Sequence, residues 1–117
     1  MSNTLYKIVP YAAWEGRENI VPWAQIDRSD GFVHLSAGHQ VRETAAKHFA
    51  RRDDLILVGI DPAAIAEHLK WEPSRGGALF PHVYGDIPLS AVTSTDVLPG
   101  VAPEDFPAHV PSGGDAR

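Results

Sequence analysis

The chain contains no cysteine. That excludes disulfides, thiolate metal sites and a cysteine nucleophile. A basic surplus is also missing: ten Lys and Arg stand against fifteen Asp and Glu, a formal net charge of −5. The adjacent pair Arg51-Arg52 is followed at once by Asp53-Asp54. Nucleic-acid phosphates call for clustered basic surface, so general nucleic-acid binding is not expected. The longest apolar run, Leu55 to Ile60, falls far short of the ~20 residues needed to cross a bilayer. Met1-Ser2-Asn3-Thr4 shows no basic start before an apolar block, so no signal peptide or membrane contact is expected, and the expected location is cytoplasmic. A phosphate loop ending in Lys-Ser/Thr, a Rossmann fingerprint, a nucleophile elbow and His-Glu-x-x-His are all absent. His34 and His39 are five apart and lack an acidic cluster, so no metal is expected.

What is present suits one folded unit. A chain of 117 residues, 44% hydrophobic and 21% charged, has material for one core. The composition changes at Pro99. Prolines 99, 103, 107 and 111, then Gly113 and Gly114, follow. This predicts a globular domain over 1–98 and a tail over 99–117 without its own core, whose early part can lie against the domain through Phe106.

Strands are expected at Thr4–Val9, across Gly31–Ser36, at Leu55–Ile60, around Lys70–Glu72, at Phe80–Tyr84 and at Val92–Leu98. The run Leu55–Ile60 is apolar throughout, which predicts a central strand covered on both faces. Helices are expected at Tyr11–Arg17, at Ala37–Arg52, where Val41, Ala45, His48 and Phe49 share a face, and at Pro62–Leu69 after the N-cap Asp61. Residues 18–31 read as irregular. Elements mix without a strict βαβ rhythm, so the fold class is α+β, a compact domain of small antiparallel or mixed sheets with two or three helices.

Two stretches carry the chemistry, Asp30-Gly-Phe-Val-His-Leu-Ser36 and Phe80-Pro-His-Val-Tyr-Gly85. Strand alternation puts Phe32, His34 and Ser36 on one face of the first, and Phe80, His82 and Tyr84 on one face of the second. Side by side, the strands would make a polar floor with two imidazoles. His34 and His82 are candidate acid–base groups. Glu72 is a candidate base or ribose partner. Arg75, in a glycine-containing loop, is a candidate anion contact. Ser36, Trp71 and Tyr84 are candidate ligand contacts. Plainer roles compete: a half-buried histidine on a carbonyl, Ser36 as a helix cap, a Glu72–Arg75 salt bridge, a solvated Arg75. His48, His68 and His109 read as structural or surface groups.

Gly31-Phe-Val-His-Leu-Ser36, the helix ending in His48-Phe49, the strand Leu55–Ile60 opening on Asp61, Trp71-Glu72 and Phe80-Pro-His-Val-Tyr-Gly85 together resemble the bacterial family called domain of unknown function 952, from about Leu5 to Val97. The resemblance implies an ADP-ribosyltransferase-like fold with two small sheets around an NAD-binding cleft. By that analogy His34 would meet an adenosine ribose or a phosphate, Arg75 the pyrophosphate, and Tyr84 or Trp71 the nicotinamide. Catalysis would be His34 and His82 with Glu72, NAD the cofactor, and the reaction an ADP-ribosyl or phosphate transfer. The expected last strand departs from the transferase pattern, having no Glu-x-Glu, and the arginine set of the RNA 2′-phosphotransferases is missing. Two other readings stay open: a non-catalytic module for a small anionic or nucleotide-like ligand, and an interaction domain using Trp14, Trp23 and Trp71.

Overall fold

A computed structural model of the protein describes residues 3–111. Seven strands form two antiparallel sheets. They are β1 Leu5–Pro10, β2 Val33–His34, β3 Ser36–Ala37, β4 Leu55–Ile60, β5 Leu69–Pro73, β6 Leu79–Val83 and β7 Val92–Leu98. The larger sheet runs β3-β1-β4-β7 and the smaller β2-β6-β5. Helices α1 Tyr11–Glu15, α2 Gln25–Asp30 and α3 Val41–His48 accompany them, with short 3-10 turns. The fold is thus a small α+β domain with two antiparallel sheets and few helices. Among the described residues no helix is long and apolar enough to cross a membrane.

The apolar run of β4 has the consequence its sequence predicts. All six of its residues are buried, between β1 and β7. One face of the larger sheet, with Leu5, Val9, Ile56, Val58 and Ile60, packs on Val33, Leu35 and Val83 of the smaller sheet and its approach. The opposite face, with Tyr6, Ile8, Leu55, Leu57 and Leu98, receives Val41 and Ala45 of α3. Phe106 and Val110 join this second cluster, and Arg42 on α3 donates to the carbonyls of Val110 and Pro111. Residues 99–111 therefore contribute to the core, and 112–117 of the expected tail lie outside the described residues.

The expected strand across Gly31–Ser36 divides in two. Val33 and His34 pair with Val83 and His82 of the smaller sheet, while Ser36 and Ala37 pair with Tyr6 and Leu5 of the larger. Leu35, buried and donating its N–H to the Pro81 carbonyl at 3.0 Å, makes the crossing. Because β3 accompanies β1 only at Leu5 and Tyr6, the sheets part beyond that point and the edge of β1 from Lys7 onward is left to other groups.

Four local expectations are corrected. The stretch expected to be irregular holds α2, which ends where Gly31 adopts φ 86°, a backbone value glycine reaches without steric cost. Helix α3 begins at Val41, after a turn, rather than at Ala37. Ser36 does not cap it: the residue at the N-cap is Gln40, and the Ser36 hydroxyl lies 3.0 Å from that of Thr44 inside the fold. The segment Pro62–His68 is a 3-10 helix, with Asp61 accepting from the Ala63 N–H as a capping residue should.

Candidate functional site

A cleft of about 760 Å³ opens where the sheets part, within the size range of small-molecule sites. It is lined by Lys7 of β1, Asp27 and Asp30 of α2, His34 of β2, Thr44 of α3, the backbone turn around Gly76, and Phe80 and His82 of β6.

Lys7 is the first surprise. It follows the alternation of Leu5 and Val9 and therefore points into the core face, where it is 6% exposed. A buried ammonium needs a partner, and Asp27 supplies it at 2.8 Å, with the His34 carbonyl accepting a second bond at 3.2 Å. Burial lowers the Lys7 pKa, against the opposing pull of Asp27. Asp27, itself fully buried, accepts four hydrogen bonds: from Lys7 Nζ, from the Ala24 N–H at 2.8 Å, from the His34 N–H at 3.0 Å and from His34 Nδ1 at 2.7 Å. Burial alone would raise the carboxyl, but the His34 bond and Lys7 outweigh it and hold it at about 2. Asp27 is therefore ionised and acceptor-only, so Nδ1 of His34 carries a proton. On the ring's other edge, Nε2 faces Asp30 Oδ2 at 3.0 Å. Only the doubly protonated ring donates to both carboxylates at once.

His82 stands opposite His34 in the β2–β6 register, with ring centroids 5.3 Å apart. Its Nδ1 lies 2.7 Å from Glu72 Oε1, the oxygen that also accepts from the Tyr84 hydroxyl at 2.8 Å. These bonds, that of His82 first, lower the Glu72 pKa, and the Tyr84 pKa is raised chiefly by its bond to Glu72. Among the described residues no hydrogen-bond partner meets His82 Nε2. Phe32 lies against both, stacked on His82 at 4.2 Å and tilted against His34 at 4.6 Å and Tyr84 at 5.0 Å.

The structure thus brings together His34, His82, Glu72 and Tyr84. Glu72 and Tyr84 are not cleft-lining groups; they brace His82 from behind. Ser36 lines the cleft from the other sheet, turned toward Thr44. Trp71 is separated from the group. It pairs with Pro81 and alternation sets it on the opposite face of β5 from Glu72, where it is 46% exposed. The backbone of Arg75 lies in the 3-10 turn beside the cleft, and its side chain lies outside the described residues. The three tryptophans do not make one exposed contact face, because Trp14 is in the core and Trp23 is half-buried and bonded to Asp86. Among the described residues no group of three or more His, Asp or Glu is arranged to hold a metal.

Sequence reasoning missed Lys7 and Asp27. The signal for Lys7 was a charged residue at an inward position of an apolar alternation. Asp27 carried no comparable signal, since its stretch read as a turn.

The chain belongs to the family described as "Protein of unknown function (DUF952)", which matches residues 8–95. Its fold is similar to the crystal structure of protein CC0527 from Caulobacter crescentus, with 43% identity, 80% of this chain and 83% of that chain covered, and a TM-score of 0.71. The solution structure of the same protein gives 42% identity, coverage of 82% and 84%, and a TM-score of 0.68. No curated protein matches the chain.

Proposed function

We propose that this member of the DUF952 family binds NAD or a related nucleotide in the cleft between its sheets and transfers an ADP-ribosyl group from it or a phosphate onto it. One observation carries the reading: two imidazoles with centroids 5.3 Å apart line a cleft of ligand size, each fixed through Nδ1 by a carboxylate at 2.7 Å. A carboxylate at Nδ1 orients an imidazole and leaves Nε2 for a reacting group. The two rings have different work. His34, held by Asp27 at Nδ1, is a hydrogen-bond donor through Nε2 to a ligand oxygen that takes the place of Asp30. His82 donates from Nδ1 to Glu72, and its Nε2 is the site for accepting a proton from an attacking hydroxyl. The ADP-ribosyltransferase-like arrangement that the family resemblance implies supports NAD as the nucleotide, and Phe80 provides an aromatic surface in the lining of the cleft.

A second reading, binding without turnover, is favoured by the commitment of the carboxylates. Asp27 is filled by four donors, Glu72 holds His82 and Tyr84, and Glu43 pairs with Lys47. Strand β7 supplies no carboxylate to the cleft. Few groups are left to stabilise a developing cation on a ribose.

Thermal unfolding with NAD and ADP-ribose, together with chromatographic assay of free nicotinamide, tests both. A raised Tm that His34→Ala abolishes supports binding, and nicotinamide release that His82→Ala abolishes supports transfer. No change in Tm at millimolar NAD or ADP-ribose removes the proposal.

A further inference from the structure

The carboxylate at the ligand-facing edge of His34 has no structural duty that explains it. The described cleft-lining carboxylates are Asp27, Asp30 and Glu43. Asp27 is saturated by donors and neutralised by Lys7, and Glu43 pairs with Lys47 at 3.3 Å. Asp30 has neither. It is 44% exposed, and its bond to His34 Nε2 at 3.0 Å is the one the fold gives it among the described residues. It is the last residue of α2, where a negative side chain gains nothing from the helix dipole. With the two lysines each matched to another carboxylate, Asp30 has only the His34 ring as its counter-charge among the described residues, and it occupies the one ring nitrogen that faces the cleft.

We propose that Asp30 is the specificity-determining residue of this cleft: it turns anionic groups away from His34 and selects a neutral vicinal diol, the kind a ribose presents. This rests on the nucleotide-binding reading and deepens it, by placing the sugar rather than a phosphate at His34. The chemistry follows from the donor and acceptor inventory. A phosphate oxygen at His34 Nε2 would sit against the Asp30 carboxylate, like charge on like charge, in a site partly screened from water. A hydroxyl both donates and accepts. One hydroxyl of a diol can donate to Asp30 while its neighbour accepts from His34 Nε2, so the diol replaces the Asp30–His34 bond with two bonds and brings no charge.

The test is calorimetric titration of the wild type, Asp30→Asn and Asp30→Ala with ADP-ribose and, separately, inorganic pyrophosphate. The wild type is expected to prefer ADP-ribose. In Asp30→Ala the ratio of the two dissociation constants is expected to move toward pyrophosphate by about tenfold or more, the scale of one charge-assisted hydrogen bond. Asp30→Asn keeps an acceptor without the charge, so it is expected to bind pyrophosphate more tightly while losing less of its ADP-ribose affinity than Asp30→Ala. Binding of ADP-ribose with an unchanged ratio in both variants overturns the assignment of Asp30 alone. No binding of ADP-ribose by the wild type overturns the nucleotide reading, and this inference falls with it.

Discussion

His34 and His82 are direct partners in the β2–β6 register, their rings 5.3 Å apart at the centroids and inclined by 66°. Directly opposed residues of an antiparallel pair project from the same face, so the strand pairing itself delivers both imidazoles to one place. Their supports differ. Asp27, behind His34, is sealed from solvent, whereas Glu72, behind His82, is 33% exposed. Separate predictions follow for the two halves of the site.

Acid should weaken the His34 half through Asp27. The Asp27 carboxyl is held at about 2, against about 3.9 for an unfolded chain. A depressed carboxyl contributes stability that is fully present above the unfolded value and is lost as pH falls through the folded one. Between about pH 4 and pH 2 the protein is expected to lose about 2 kcal/mol from this group alone. Urea unfolding across that range checks it: Asp27→Asn should start less stable and show a shallower pH dependence. Parallel curves for the two proteins would refute the assignment.

Lys7→Met should be severely destabilising, because it strands a buried carboxylate. Removing one partner of a buried ion pair costs about 3–5 kcal/mol. The double variant Lys7→Met, Asp27→Asn should be more stable than the sum of the single effects implies, by roughly 0.5–3 kcal/mol for groups in contact. Strict additivity in a denaturation cycle would show that the pair is not coupled.

Tyr84 offers a spectroscopic readout of the other half. Its bond to Glu72 raises the phenol pKa, so its tyrosinate absorbance should emerge at higher pH in the native protein than in Glu72→Gln. The difference spectrum against Tyr84→Phe isolates this tyrosine. A titration indifferent to Glu72→Gln would mean that the hydrogen bond is absent in solution.

Ser36→Ala distinguishes a helix cap from an interior hydroxyl pair. Loss of the contact with Thr44 should cost about 1 kcal/mol while leaving the helical circular dichroism unchanged. A drop in helical signal would restore the capping role.

Phe106→Ala probes the segment after β7. This ring is 7% exposed within the α3-side core, and Arg42 lies over it at 5.1 Å. Deleting a buried aromatic side chain costs about 3–5 kcal/mol. Urea unfolding that matches the wild type would show that residues 99–111 are dispensable to the fold.

The sequence alone determined whatever depends on near neighbours and on pattern. The unbroken run of Leu55–Ile60 made a central strand because its aliphatic side chains point to both faces and leave neither polar. Alternation put His34 with Phe32, and His82 with Tyr84, because successive side chains of a strand point to opposite sides. Asp61-Pro62 marked a helical start through capping chemistry that acts over two or three residues.

Only the tertiary structure decided the rest. Nothing local in Val33-His-Leu-Ser36 says that the chain changes sheets at Leu35; that depends on which edges of β1 and β6 are unpaired, an arrangement set by strands far away in sequence. The same crossing leaves the edge of β1 open, so that Lys7 and Asp27, twenty residues apart and unremarked as a pair, meet behind His34. The residues of the site could be nominated one strand at a time, but the buried charges that hold them exist only once two sheets have closed over Asp27.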